Sequence, residues 1–147
     1  MAQMTIETMD DLPIMKITEP SVRRQVTQKV LWAGARTMEK KMSNYLGQHH
    51  HVTGAMARGV THGEIYEDLD GGTIYVEPDG YDARGISNRM KHRVIVAGYY
   101  GANTGRRQRK ADPYIRKLER ESQHTVAEMM KYQFELCLKE LGLIINE

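Results

Sequence analysis

From Asp112-Pro113 to Gly142 an apolar or small residue recurs every three or four positions, and no other feature of the chain constrains its fold as strongly. Ile115, Leu118, Ser122, Val126, Met129, Met130, Gln133, Cys137 and Leu141 trace one face of a helix, with Asp112 placed to cap it, Pro113 in its first turn and Gly142 as its stop. At about 1.5 Å per residue the helix exceeds ~40 Å, longer than one small core covers. Unless it breaks near Glu121-Ser122-Gln123, its distal half is expected to meet another chain, through Met130 and Phe134. A second helix is signalled between Pro20 and Gly47. There Val22, Val26, Val30, Ala33, Met38, Met42 and Tyr45 share a face, and Thr18 or Ser21 is placed as cap.

Between the two helices the period changes. Val60 to Leu69 and Thr73 to Glu77 flank the tight-turn signal Asp70-Gly71-Gly72, which predicts a β-hairpin closed by a further turn at Pro78-Asp79-Gly80. The β-branched run Arg93 to Tyr100 predicts a third strand, bending where Gly98 and Gly101 bracket a tyrosine pair. Thr53 is placed to cap a short helix over Ala55 to Arg58, after Gly54 has permitted a tight turn. Gly101 to Lys110 is almost wholly polar and predicts an exposed loop. Residues 1–19 show no sustained period and read as an arm with at most a short strand. The expected architecture is α+β: a small antiparallel sheet with two long helices, a β-hairpin and an extended arm or loop, residues 20–147 forming one domain.

The chain has 147 residues, 40% of them hydrophobic and 27% charged, which suits one soluble domain. Its core is rich in adaptable methionine, with ten Met against one Phe and one Trp. Cys137, the single cysteine, has no internal disulfide partner and reads as a buried small hydrophobe. No signal peptide and no membrane-length apolar run appear, which predicts a reducing cytosol and no membrane partner. The formal net charge is only +2, but its distribution is uneven. Seven acids and no Lys or Arg lie between Gly59 and Ala83: Glu64, Glu67, Asp68, Asp70, Glu77, Asp79 and Asp82. Eight bases and no acid lie between Ala83 and Ala111: Arg84, Arg89, Lys91, Arg93, Arg106, Arg107, Arg109 and Lys110. Such blocks predict that the acidic hairpin of one subunit, through Glu64, Glu67, Asp68 and Asp70, faces the basic segment of the next.

No nucleophile elbow, phosphate loop, paired-cysteine metal signature or nucleotide fingerprint is present, so no enzyme activity, cofactor or small-molecule substrate is expected. His49, His50 and His51 are adjacent, whereas zinc sites space their ligands, and a solvated loop is expected there. A metal-dependent enzyme built around the histidines is the weakest of three readings. His62 near Glu64 and His92 near Lys91 do not add up to a site. Arg106, Arg107, Arg109 and Lys110 form a polybasic tract suited to phosphates without sequence readout, which makes a small sequence-independent nucleic-acid-binding protein the alternative reading.

After the first long helix the segments follow in order: Val52-Thr53-Gly54-Ala55-Met56-Ala57-Arg58-Gly59-Val60, then a strand pair with Ile74-Tyr75-Val76, then an apolar strand from Arg93 ending in Tyr100-Gly101, then Ala111-Asp112-Pro113-Tyr114-Ile115-Arg116; the first, third and fourth are the anchors. Over residues 20–142 this order resembles the tail-completion, or head-tail joining, proteins of long-tailed double-stranded DNA phages and prophages. The resemblance implies a structural virion protein, assembled in the bacterial cytoplasm and residing at the phage neck. There a ring of six copies would complete or join the tail around the DNA channel, with other neck and tail proteins as partners and non-specific contact with duplex DNA. It gives Thr53, Gly54, Tyr100, Gly101 and Pro113 structural roles, and places the tract from Arg106 to Lys110 against either DNA or the adjacent ring.

Overall fold

Three strands and four helices succeed one another in the computed structural model, which describes residues 3–7, 19–50, 54–68, 71–98 and 110–142: β1 (Met4–Glu7), α1 (Pro20–His49), α2 (Ala55–Arg58), β2 (Val60–Asp68), β3 (Gly71–Pro78), α3 (Asn88–Ala97) and α4 (Tyr114–Glu140). The fold is α+β, as the sequence predicts. The sheet is antiparallel in the order β1-β3-β2, with the hairpin strand β3 in the middle. Residues 4–7, expected in an arm, are thus an edge strand of the fold, Met4 opposite Val76 and Glu7 opposite Thr73.

α1 is the middle of three layers. Its buried positions Val26, Thr27, Val30, Leu31, Gly34, Ala35, Met38, Met42 and Leu46 wrap more than half of its circumference, because the sheet covers one side and α4 the other. On the sheet side Gly72 lets the hairpin close down: a Cβ there would lie 2.9 Å from Leu31 Cδ1 and 3.3 Å from Thr27 Cγ2. Ile74 and Val76 of β3 point the same way and are fully buried. Their cross-strand partners Ile65 and His62 share that face, and His62 Nδ1 is paired with Glu39 of α1. A bulge between His62 and Ile65 reconciles three steps on β2 with two on β3. On the far side α4 runs antiparallel to α1, Lys29 meeting Glu140 at 3.1 Å near one end and Tyr45 stacking on Tyr114 near the other.

Both long helices begin differently from expectation. Pro20 opens α1, but Ser21 Oγ donates to the Glu19 carboxylate (3.0 Å) rather than capping the backbone; Thr18 lies outside the described residues. α4 begins one residue after Pro113, and the Asp112 side chain turns away from its free N–H groups to two partners on α1. α4 then continues without a break through Glu121–Gln123.

The expected third strand over 93–100 is corrected: residues 93–97 are the last turns of helix α3, and Tyr99 and Tyr100 lie outside the described residues. Ser87 decides it. Its side chain accepts from Met90 N (3.3 Å), Asn88, His92 and Ile95 then fall on one buried face, and Gly98 at φ 79° ends the helix. The β-branched residues Val94, Ile95 and Val96 are carried in a helix because tertiary burial outweighs their modest preference for strand. Ser87→Ala is expected to lower stability by about 1 kcal/mol, read as a shift of the urea midpoint without a change of slope.

Candidate interaction surfaces

The polar side chains with the most specific geometry join elements at one end of the molecule. Asn88 Nδ2 donates to Asp79 O (2.9 Å) and Ala55 O (3.3 Å), tying α3 to the end of β3 and to α2, while Ser43 Oγ of α1 donates to Ala57 O (2.8 Å). Asp82 organises the turn before α3: its Oδ1 accepts from Arg84 N and Ile86 N, both at 2.9 Å, and its Oδ2 from Lys91 Nζ at 3.0 Å. The Ile86 amide, the Lys91 ammonium and the Arg84 amide, against the opposing effect of burial, hold this carboxyl at about 2. Stability from ionised Asp82 is therefore present above about pH 4 and lost as pH falls toward 2. Asp82→Asn should be less stable than wild type at pH 7, the gap between their urea midpoints closing near pH 2.

The second knot stands where Asp112 N donates to Ile95 O (2.9 Å), which brings together the two ends of the segment that contains the basic tract. The Asp112 carboxylate accepts from Tyr45 OH (2.8 Å) and His50 Nε2 (2.6 Å). Burial alone would raise its pKa, but the His50 and Tyr45 hydrogen bonds prevail and hold it below the usual range. Tyr45 lies flat on Tyr114, ring centroids 4.2 Å apart, and Tyr114 OH and His92 Nε2 share a hydrogen bond of 2.6 Å. Burial, then the bond to Asp112 and its charge, push Tyr45 up to about 12; burial, then Asp112 and Tyr45, raise Tyr114 as well. A cavity of about 480 Å³ opens beside this stack, lined by His49, Pro113, Lys117 and Glu121 among others. Among the described residues no group of three or more His, Cys, Asp or Glu is placed to hold a metal ion.

The residues singled out in the sequence are not gathered into one place. Gly54 (φ 75°) precedes α2 and Pro113 precedes α4, whereas Thr53, Tyr100 and Gly101 lie outside the described residues. So do Arg106, Arg107 and Arg109; Lys110, just past them, is exposed. Comparisons with protein-family models, with curated proteins and with solved structures return no match. The chain's own geometry therefore carries the reading.

Charge is more compensated within the chain than its distribution suggests. Arg89 meets Glu77 at 2.9 Å and Asp79 at 3.7 Å, Lys91 meets Asp82, and Arg24 of α1 meets Glu67 at 2.8 Å. Glu67 and Asp82 thus have cationic partners within the chain, whereas Glu77 is paired through one oxygen only and Asp79 only at the longer distance. Glu64 is exposed and, among the described residues, forms no ion pair; Asp70 and the Asp68 side chain lie outside the description. The expected interface role of Met130 and Phe134 is corrected: they are 1% and 3% exposed, buried in the chain's own core beside Cys137 and Val126. α1, at 30 residues, is long enough to cover the 27 of α4, so the length of α4 calls for no second chain.

The aromatic pair on one surface had no place in the sequence reading. The sheet face turned away from α1 bears Thr73, Tyr75 and Glu77 of β3, and Tyr66 of β2 stands beside Tyr75 with ring centroids 5.7 Å apart. Tyr66 is 61% exposed. The signal was available in the alternation of Thr73-Ile74-Tyr75-Val76: whatever face Ile74 buries, Tyr75 must occupy the other.

Proposed function

We propose that this protein is a structural component of a phage neck, assembling with copies of itself into a ring of six that joins or completes the tail around the DNA channel. The observation that carries the reading is that three segments of the resemblance converge at one end of the molecule, residues 93–97 among them as a helix in place of the expected strand. Ala55 O, following Gly54, accepts from Asn88; α3, which contains residues 93–97, is joined to Asp112 through Ile95 O; and Tyr114, opening the last anchor, bonds to His92. Residues dispersed in sequence thus form one architectural joint, as suits a protein that acts by shape. The polar groups that elsewhere do chemistry are here engaged in linking α1, α3 and α4. The ring would use heterologous contacts, one face of each copy against a different face of the next.

Sedimentation of the purified chain, alone and with neck proteins of the same phage, tests this. A species near six times 16.9 kDa, annular in electron micrographs, is the expected result. A chain that stays monomeric in every mixture yet retards duplex DNA of any sequence, with steep salt dependence, would replace it with the nucleic-acid-binding reading. Such binding would use the tract Arg106, Arg107, Arg109 and Lys110, with Arg84 and Arg93 of the same basic block exposed and without an ion pair among the described residues.

A further inference from the structure

The outer face of the sheet carries a groove of about 260 Å³ whose lining includes Tyr66, Tyr75, Glu64, Glu77, Asp79 and Arg89. Three carboxylates and one guanidinium leave it net negative. Arg89 already satisfies one carboxylate oxygen of Glu77, at 2.9 Å from Oε1. Among the described residues Oε2 of the same side chain has no hydrogen-bond partner although Glu77 is only 7% exposed, an arrangement that is costly unless a further donor arrives. Asp79 meets Arg89 only at 3.7 Å and is otherwise open, and Glu64 projects from the bulged part of β2 with no ion pair among the described residues. The two tyrosine rings supply aromatic surface, one of them largely exposed. Aromatic surface rimmed by carboxylates is the environment that a guanidinium or ammonium side chain seeks, combining cation–π contact with charge-assisted hydrogen bonds.

We infer that this groove receives the cationic tract Arg106-Arg107-Gln108-Arg109-Lys110 of a second copy of the chain. The argument is charge complementarity. Arg89 and Lys91 of the basic block are already occupied within the chain, whereas Arg106, Arg107, Arg109 and Lys110 sit in a stretch of ten residues without one acid, and the groove is an acidic, aromatic surface left open among the described residues. The contact is heterologous, groove to tract, and so repeats from copy to copy. It deepens the ring reading and rests on it for the identity of the partner; the groove's taste for a cationic segment is measurable separately.

The test uses the full chain in two complementary variants, Glu64→Lys with Asp79→Lys, and Arg106→Glu with Arg107→Glu, Arg109→Glu and Lys110→Glu. Each alone is expected to lose association, and an equimolar mixture to regain it, since reversed groove then meets reversed tract. A labelled peptide of residues 101–111 should bind the full chain whose four tract cations are replaced by Ser. That binding should weaken about tenfold in Glu64→Gln with Asp79→Asn, the scale of two surface ion pairs lost together, and further in Tyr66→Ser. If the wild type assembles while the peptide ignores these substitutions, or if both reversed variants assemble as well as the wild type, the groove assignment is overturned and the ring stands. If the peptide binds the groove but the wild type never assembles, the ring reading falls and the groove's preference for a cationic segment survives it.

Discussion

Met130→Ala is expected to cost about 2–5 kcal/mol and Phe134→Ala about 3–5 kcal/mol, so that the two together leave the chain largely unfolded at room temperature. Both side chains are enclosed by the α1–α4 contact, with Val126 one turn before and Cys137 and Leu138 one turn after on the same stripe. Truncating either leaves a cavity that two continuous helices, pinned at both ends by Lys29–Glu140 and the Tyr45–Tyr114 stack, have little freedom to close. The residues are neighbours on one helix face, and their effects should not simply add. Urea unfolding of each single variant should show a midpoint far below that of wild type. Unchanged midpoints with altered sedimentation would return these residues to an intersubunit role.

Gly59→Ala should be nearly as damaging, for a different reason. Gly59 has an ordinary backbone, φ −83°, and is required because of what surrounds it. A Cβ would stand 2.4 Å from Asp79 O, 2.8 Å from Asn88 Nδ2 and 3.2 Å from Ala55 O. Two of these are backbone atoms, and Gly59 O itself accepts from Asp79 N at 2.8 Å, so relief means parting the start of β2 from the end of β3. A loss of about 3 kcal/mol is expected, the upper range for overpacking, with weakened Asn88 hydrogen bonds added to it. Gly63→Ala, where a Cβ meets nothing within 4 Å, is the control and should leave the midpoint almost unchanged.

The elements that the sequence revealed are those whose signals are local and reinforce one another. Pro20 with its apolar stripe gave α1, the Asp70-Gly71-Gly72 turn between alternating residues gave the hairpin, and Asp112-Pro113 with Gly142 bounded α4 to within a residue or two. α3 was hidden because its deciding residue, Ser87, lies seven positions ahead of Val94, the first of a β-branched run that looks like strand in isolation. What makes that run helical is burial of Asn88 and His92 against α2 and Tyr114, contacts from far away in sequence. The third strand came instead from Met4–Glu7, whose apolar–polar alternation is too short to mark a strand by itself, recruited by the open edge of β3. The candidate surface was legible in its charge blocks but not in their pairing. Nothing local says that Arg89 turns to Glu77, or that Asp112 leaves its helix for Tyr45 and His50.

The hydrogen bond from Asp112 N to Ile95 O has a consequence for how this protein can change over time. Because it fixes both ends of the intervening segment against α3 and α4, lengthening that segment adds a loop-closure cost of only about 0.6 kcal/mol for each doubling of its length. Insertions between Gly98 and Lys110 should therefore cost the fold little. A lineage is free to lengthen the segment that bears its cationic tract while the joint beneath it stays as it is, and an experimenter has the same freedom to insert a tag or a probe there.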